Sequence, residues 1–502
     1  MKRFLSLALA LCMLLSVAAF TASAESDVTI KVVANANIQS FFDGEDENNN
    51  YMIRWIEEQV GFDVEWYILP SENGEAKLNA MMASAADAPD IIALNRDNFL
   101  NYYNDEMIQC LDEYITEDFF QYDTQGAYKL GILDGSYWAV ATPGNQSATT
   151  YTWWYNTAML ADAGIEVPGH ELTLEQFTDI LYAIKEAYPD KIPMGAAGDG
   201  STNWLNGFQI IYGAFGIAND YRINENGELE YALGSDDMKE CLEYLNKLYA
   251  DGIIDPEYLV TTKETLCPKM VNGDVVSVCA AWYDFTGTYR KAIENVDSSA
   301  KKDSYNWECV NIIDGGKATK GQTTGTLNQF YMCVTYACEH PAEAAQLLKL
   351  MLTPEYYDMC FFGVEGVDYH YDENGLLWRN PETTIGKKFA ESGTQWYVYY
   401  YFSETKDQRM GRLAAGMPDY DMEHIMDVWY ACKEVDNPIA AMPAIEEYIE
   451  DYAYIKDVAS AYHIKFVMGE MGFDKWQDFL NETQAVGGDE VLAALQEWYA
   501  TL

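Results

Sequence analysis

In the first part of the chain, hydrophobic residues recur with the spacing typical of strands in some segments and with the spacing typical of helices in others. The segment Val-Thr-Ile-Lys-Val-Val at 28–33 has a period of two and predicts a β-strand, and residues 63–69 predict a second one. Between them, residues 52–60 have the spacing of an amphipathic helix. A helix rich in alanine and methionine at 75–86 then leads to an apolar segment at 89–94, which predicts a buried strand. This order is typical of a parallel α/β sheet.

Strand ends and helix starts continue the pattern further along the chain. A strand at 137–143 is stopped by a proline, and Thr173 has the position and chemistry of a helix N-cap. Further helices are predicted at 203–214, at 236–250 and in the acidic segment after residue 434. Because ligands of α/β sheets bind beyond the carboxyl ends of the strands, polar residues that follow a predicted strand are candidate ligand contacts.

The first 24 residues have the pattern of a secretory signal peptide. A basic start precedes an apolar run over 4–20, and Ala-Ser-Ala at 22–24 supplies the small residues of a cleavage site. The run is long enough to raise the alternative of a membrane anchor, but the cleavage site directly after it favours removal. Cys12 follows Leu11 and therefore lacks the small preceding residue of a lipobox. We expect export, cleavage near Ala24, and no transmembrane segment in the remaining chain.

Acidic side chains greatly outnumber basic ones. The 502 residues include 80 Asp and Glu against 31 Lys and Arg, which gives a formal net charge of −49. Such a field repels nucleic acid and anionic lipid surfaces and disfavours polyanionic ligands. Apolar residues make up 49% and aromatic residues 14%, which indicates a globular protein and not a disordered one. The chain is too long for one hydrophobic core, so we expect two large lobes.

Catalytic and metal-binding motifs with a recognisable spacing do not occur in the sequence. It has no G-x-S-x-G, Walker A, G-x-G-x-x-G, H-E-x-x-H or C-x-x-C pattern. Its five histidines are isolated along the chain, and its ten cysteines lack the spacing of a disulfide scaffold, so we expect buried thiols, no metal centre and no cofactor. The oxygen-rich segment 43–50 leaves calcium binding open. It lacks the glycine spacing of an EF-hand, which favours a solvated acidic turn.

Several stretches, taken in order, resemble a known family. They are Trp154-Tyr155-Asn156 followed by Pro168 and Glu175, then residues 189–195, residues 269–276 with Trp282, residues 341–355, and residues 362–375. This ordered set resembles the extracellular solute-binding proteins of family 1, the maltose-binding-protein-like carbohydrate carriers of ABC transporters. The last stretch resembles the subgroup linked to oligosaccharide uptake in Firmicutes.

The resemblance implies an α/β protein with the two-lobed periplasmic-binding-protein fold (type II), a Venus-flytrap whose hinge crossovers let the lobes close on a ligand. After a signal peptide at 1–24, it places residues 25–143 and 304–352 in the N-terminal lobe. Residues 144–303 and 353–502 then form the C-terminal lobe. It also implies a monomer that delivers a sugar or oligosaccharide to an ABC permease without chemical conversion.

A sugar presents C–H faces, on which aromatic rings stack, and hydroxyl groups, to which amides, carboxylates and arginine bond. Positions in loops and at strand ends give as stacking candidates Trp153, Trp154, Trp204, Trp282 and Trp396, and as hydroxyl-binding candidates Asn37, Arg96, Asp284, Gln329 and Glu365. Structural roles compete with each of these. Tryptophans in strands are more often core residues, and the polar candidates can instead cap the backbone, pair with other charges or face solvent.

Other functions stay open at this point. A peptide- or polyamine-binding protein would use the negative field, with the aromatic rings contacting cations. A secreted scavenger or sensor component would need no importer. A secreted glycoside hydrolase would use two carboxylates, but the sequence singles out no such pair.

Overall fold

The structure is a computed structural model and describes residues 28–34, 41–69, 74–123, 126–143, 151–198, 207–281, 289, 307–317, 322–323, 328–371, 377–385, 394–397, 434–435, 437–439, 442 and 445–501. Within them the chain divides into two compact units. Unit 1 takes its described residues from Met1–Thr142, Phe330–Tyr369 and Asn380–Tyr401, and unit 2 takes them from Pro143–Gln329, His370–Arg379 and Phe402–Leu502.

Strands and helices alternate through the described chain. The strands are β1 (Thr29–Ala34), β2 (Asp63–Ile68), β3 (Ile91–Leu94), β4 (Ile132–Leu133), β5 (Ser136–Tyr137), β6 (Val140–Pro143), β7 (Tyr151–Asn156), β8 (Glu171–Thr173), β9 (Ile192–Ala196), β10 (Tyr221–Ile223), β11 (Leu229–Tyr231), β12 (Val275–Ala281), β13 (Trp307–Val310), β14 (Ile312–Asp314), β15 (Gln322–Thr323), β16 (Asn328–Val334), β17 (Tyr369–Tyr371), β18 (Leu377–Arg379) and β19 (Glu434–Val435). The α-helices are α1 (Tyr51–Val60), α2 (Gly74–Met82), α3 (Arg96–Asn104), α4 (Thr157–Asp162), α5 (Leu174–Ala187), α6 (Gln209–Ala214), α7 (Asp236–Ala250), α8 (Lys263–Val271), α9 (Pro341–Met351), α10 (Pro354–Phe362), α11 (Glu446–Val467), α12 (Trp476–Ala485) and α13 (Gly488–Tyr499).

Unit 1 is built on a five-stranded sheet with the order β2-β1-β3-β16-β6. β1 is parallel to β2 and to β3, while β16 is antiparallel to β3. The helix α1 begins at Asn50, whose side chain accepts the N–H groups of Met52 and Ile53, and ends at Gly61 in the left-handed region at φ 80°. Its apolar face is buried, as the predicted helical spacing requires.

Unit 2 contains a four-stranded sheet with the order β13-β7-β12-β9. β12 is buried at all seven positions and lies parallel to β9 and antiparallel to β7. The helix α5 begins with a capping box in which Thr173 accepts the N–H of Gln176, which confirms the predicted N-cap. The long helix α11 packs against α7 and α13. This sheet shares one extended hydrophobic core with α5, α7 and α11, whereas the buried residues of α13 belong to a second cluster.

The structure assigns some segments differently from the sequence-based lobe boundaries. The first boundary, expected after residue 143, lies between Thr142 and Pro143. The segment 304–352 was expected to belong wholly to the first lobe, but β13 pairs with β7 and β14 pairs with β8, so these strands belong to unit 2. Conversely, α10 was expected in the second lobe and belongs to unit 1, where Tyr51 donates a hydrogen bond to the Met359 carbonyl.

Other predicted elements agree with the structure to within a few residues. The helix predicted at 236–250 coincides with α7. The strand predicted at 137–143 is divided between β5 and β6. The helix predicted at 203–214 is described only as α6, because residues 201–206 lie outside the described part.

The eight cysteines of the described chain carry thiols and form no disulfide, as expected, and seven of them are buried. Burial raises the pKa of the Cys338 thiol to about 12, so this thiol stays protonated at neutral pH. None of the helices in the described chain has both the length and the apolar character that a bilayer crossing requires.

Candidate functional site

The structure describes the side chains of four of the ten predicted ligand contacts. Asn37, Trp204, Trp282 and Asp284 lie outside the described residues. The backbone of Gln329 lies in β16 and that of Trp396 in a 3₁₀ helix at Thr394–Tyr397, but their side chains are outside the description. The remaining four are Arg96, Trp153, Trp154 and Glu365.

Arg96 lies at the carboxyl end of the parallel strands of unit 1. It is the first residue of α3, directly after β3 and the N-cap residue Asn95, whose side chain accepts the N–H of Asn98 at 2.8 Å. The cap fixes the start of the helix at the sheet edge, so Arg96 takes a defined position there and is half-buried. This is the edge at which α/β sheets bind their ligands.

Trp153 lies in the hydrophobic core of unit 2. It is fully buried, and its Nε1 donates a hydrogen bond of 2.8 Å to Ser277 Oγ, the serine of the neighbouring strand β12. Phe177 packs edge-on against the indole, with 5.1 Å between ring centroids and 86° between ring planes. No ring surface is exposed, so the structure supports the core role for Trp153 and not the stacking role. Trp154, the next residue of β7, is also buried, with 4% exposed.

Glu365 lies in an exposed turn that a buried carboxylate holds in place. The turn follows α10, and Asp368 accepts the backbone N–H of Val364 at 2.9 Å. Gly363 has φ 83°, and a Cβ atom there would lie 2.7 Å from the Asp368 carboxylate, so only glycine fits. Gly363 therefore serves the geometry of the turn, and the Glu365 side chain is exposed to solvent.

The acidic segment 43–50 uses its amide side chains for internal contacts. Asn48 Oδ1 accepts the N–H of Trp66 at 2.6 Å, and Asn48 Nδ2 donates to the Trp66 carbonyl at 3.1 Å. Asp46 Oδ1 accepts the N–H of Asn48, and the amide oxygen of the buried Asn50 caps α1. These oxygens bond to N–H groups of the protein, which is the arrangement of a capped turn.

Basic side chains in unit 2 are surrounded by carboxylates. Arg222 lies 2.7 Å from both Glu230 and Asp237, and Lys317 bridges Asp237 and Glu240. Burial opposes the charged form of Asp237, but hydrogen bonds from Lys317 and Arg222 outweigh it and hold the pKa of Asp237 below its ordinary value. Local pairing of this kind neutralises cations and leaves the overall field negative.

An aromatic candidate that the sequence did not single out lies in the two-stranded sheet formed by β17 and β18. Trp378 is 47% exposed, although most tryptophans are largely buried, and the ring of His370 lies 4.6 Å from its centroid. The aromatic residues in the two short segments 369–371 and 377–379 were the available signal. Periodicity in so short a segment does not show which side chains stay exposed.

The sequence pattern of one family matches most of the chain. The model for the bacterial extracellular solute-binding protein family covers residues 30–358, from β1 into α10. This chain belongs to that family. The resemblance inferred from the ordered motifs is thereby confirmed.

Two curated proteins are similar in sequence to this solute-binding protein. An uncharacterized protein in the butB 5′ region of Niallia circulans is 23% identical over 267 residues, which is 52% of this chain and 98% of that protein. The fructooligosaccharide ABC transporter substrate-binding protein FusA of Streptococcus pneumoniae serotype 4 is 23% identical over 240 residues. That match spans 42% of this chain and 43% of FusA.

Solved structures share the fold of this solute-binding protein over nearly its whole length. The alginate-binding protein AlgQ2, in a calcium-free structure, has a TM-score of 0.70 at 15% identity, covering 95% of this chain and 99% of AlgQ2. A FusA EF-hand mutant of S. pneumoniae in complex with fructo-nystose has a TM-score of 0.68 at 15% identity, covering 94% of this chain and 99% of the FusA mutant. An HMO-binding, ABC-transporter-associated solute-binding protein of Bifidobacterium longum infantis has a TM-score of 0.67 at 15% identity, covering 95% of this chain and 99% of that protein. The likeness confirms the predicted α/β periplasmic-binding-protein fold class.

Proposed function

We propose that this solute-binding protein captures a neutral sugar or short oligosaccharide for an ABC importer and does not convert it chemically. The observation that carries the proposal is the family match over 30–358, combined with a shared fold with proteins described as binding fructooligosaccharides, HMO and alginate. Family membership favours binding over hydrolysis, because the family consists of solute-binding proteins.

The charge of the chain narrows the class of sugar. A net charge of −49 repels an acidic polysaccharide such as alginate. The negative electrostatic field neither attracts nor repels a neutral sugar. A peptide or polyamine remains the second candidate, because the same field attracts cations. Aromatic residues at 14% of the chain support the sugar, since stacking on C–H faces needs large rings.

Several predicted contacts stay part of the proposal. Trp282 follows β12 directly in the sequence, and β12 is the buried strand between β7 and β9, so we propose it as the main stacking residue. Arg96 supplies hydrogen bonds from the sheet edge of unit 1, and Glu365 supplies an exposed carboxylate. Asn37, Trp204, Asp284, Gln329 and Trp396 remain proposed contacts on their sequence positions alone.

The cellular setting is also proposed. A signal peptide at residues 1–24 would be cleaved near Ala24 and the remaining chain exported as a monomer that docks on an ABC permease. The family description and the N-terminal sequence pattern support export.

The test is a thermal-shift screen of residues 25–502 against neutral oligosaccharides, polyamines and short peptides, followed by calorimetric titration. Ligand at 100 times its Kd raises the unfolding free energy by about 2.7 kcal/mol, which is readily detected. We expect stabilisation by an oligosaccharide that Trp282→Ala abolishes and Tyr454→Ala preserves, because Tyr454 is an exposed ring on the surface of α11.

Other outcomes would replace the proposal. Stabilisation by peptides or polyamines alone would keep the binding function and change the cargo. Release of shorter sugars during incubation, detected by chromatography, would show hydrolysis and contradict capture without conversion.

A further inference from the structure

Three side chains with different donor atoms converge at one edge of the unit 2 sheet. His170 precedes β8, while Glu308 and Cys309 are adjacent in the edge strand β13. A nitrogen of His170, a carboxylate oxygen of Glu308 and the sulfur of Cys309 all lie within 4.8 Å of one another. Tetrahedral zinc, with bonds of about 2.0 Å to nitrogen and about 2.3 Å to sulfur, holds such donors about 3.5 Å apart. Small side-chain rotations would close the difference.

The histidine ring is oriented by the residue that contributes the thiol. His170 Nδ1 lies 2.8 Å from the carbonyl oxygen of Cys309, and because a carbonyl only accepts, Nδ1 donates. The neutral imidazole then carries its lone pair on Nε2, the form that binds metal ions. Histidines that bind metals commonly donate their other ring N–H to a carbonyl in this way.

The backbone around the three residues is held by further bonds. The carbonyl of His170 accepts the N–H groups of Asn311 and Ile312, and β14 continues in parallel beside β8. The Glu308 carboxylate accepts the backbone N–H of Cys309 at 3.1 Å, which turns it back toward the thiol. Glu308 and Cys309 therefore lie in a regular strand, and the backbone of His170, directly before β8, is held by these two hydrogen bonds.

An independent observation beside the sulfur points to a bound cation. Asn311 is 3% exposed, its Oδ1 lies 3.5 Å from Cys309 Sγ, and its amide nitrogen is buried without a hydrogen-bond partner. A buried amide N–H without a partner costs about 1–3 kcal/mol. If Cys309 became a thiolate, rotation of the amide by half a turn would let Nδ2 donate to the sulfur. A metal-bound thiolate thus satisfies the group that the thiol leaves unsatisfied.

We propose that His170, Glu308 and Cys309 bind one divalent transition-metal ion of the zinc class. Sulfur, imidazole nitrogen and carboxylate oxygen together suit zinc, whereas calcium and magnesium take oxygen ligands. On binding, the Cys309 S–H bond is replaced by a metal–sulfur bond and its proton passes to solvent. His170 is exposed, Glu308 is half-buried and Cys309 is buried, so the ion enters from the histidine side. The proposal uses none of the residues proposed as sugar contacts and does not depend on them.

The test is titration of chelator-treated, reduced protein with Co²⁺ and then Zn²⁺. We expect one Co²⁺ per chain, a near-ultraviolet sulfur-to-cobalt absorption band, and loss of the band when Zn²⁺ displaces the cobalt. Cys309→Ser should abolish the band, and His170→Ala, a change at an exposed residue, should weaken affinity by at least about tenfold.

Matched variants separate this site from adventitious binding. Cys110→Ser removes the exposed cysteine of the described chain, and His340→Ala removes an exposed histidine of unit 1; both should retain the band and the affinity. Circular dichroism checks that each variant is folded. The proposal is overturned if the native protein gives no sulfur band, or if the band survives Cys309→Ser.

Discussion

His463 makes a pH-dependent contribution to the free energy of unfolding, and its size can be calculated from the structure. The imidazole lies on α11 with 1% exposed, parallel to the ring of Trp476 and edge-on to Phe479. Burial lowers the pKa of His463 from 6.5 to about 3, although a hydrogen bond to the Leu233 backbone favours the charged form. The native state therefore keeps this ring neutral at pH values where the unfolded chain protonates it.

The sign and the size of the effect follow from proton linkage. Above pH 6.5 both states hold a neutral ring, and the contribution to the free energy of unfolding is near zero. As the pH falls from 6.5 toward 3, only the unfolded state binds the proton, so stability is lost across this window. Between pH 7 and pH 5 the loss is about 2 kcal/mol, because each pH unit inside the window costs about 1.4 kcal/mol.

The assay compares urea unfolding of the native protein and His463→Gln at both pH values. Glutamine does not titrate and keeps an N–H that can donate to the Leu233 carbonyl. The many carboxylates add their own pH dependence, but that background is common to both proteins and cancels in the difference. We expect the native protein to lose about 2 kcal/mol more than the variant between pH 7 and pH 5. Equal losses, or a His463 resonance that titrates above pH 5 in nuclear magnetic resonance spectra, would refute the reasoning.

Three further predictions test packing and binding. Trp153→Ala should lower the free energy of unfolding by about 3–5 kcal/mol in urea titrations, and a loss under 1 kcal/mol would contradict its place in the core. Gly363→Ala should destabilise the protein by at least about 1 kcal/mol more than Gly366→Ala. Both glycines have positive φ, but only at Gly363 would a Cβ atom clash with a neighbouring carboxylate. Equal melting points of the two variants would contradict the clash. Arg96→Ala should weaken calorimetric sugar affinity by about tenfold, or about 1.4 kcal/mol, whereas Arg54→Ala, an exposed arginine paired with Glu45, should leave it unchanged.

The predicted ligand contacts differ in how far local sequence could specify them. Arg96 was correctly placed after β3, because a strand followed by a capped helix is a local pattern. Trp153 and Trp154 were harder to assign, because both sides of β7 are buried, and a strand that is buried on both faces shows no alternation. A tryptophan that contacts a ligand then cannot be distinguished by sequence pattern from one that lies in the core.

Local chemistry in the sequence determined the elements and the class of this protein. The helix cap at Thr173, the glycine at 363 and the alternating strands and helices are decided by residues within a few positions of each other, so they can be read directly. The ordered motifs then led to the family, which the match over 30–358 confirms.

Tertiary structure alone decided which distant segments come together. β13 and β14 lie in unit 2 because they pair with β7 and β8, and periodicity does not encode the partner of an edge strand. The same pairing brings His170 to Glu308 and Cys309, more than a hundred positions later in the chain. The donors of this cluster looked isolated in the sequence because strand pairing, and not sequence spacing, sets the distances between them.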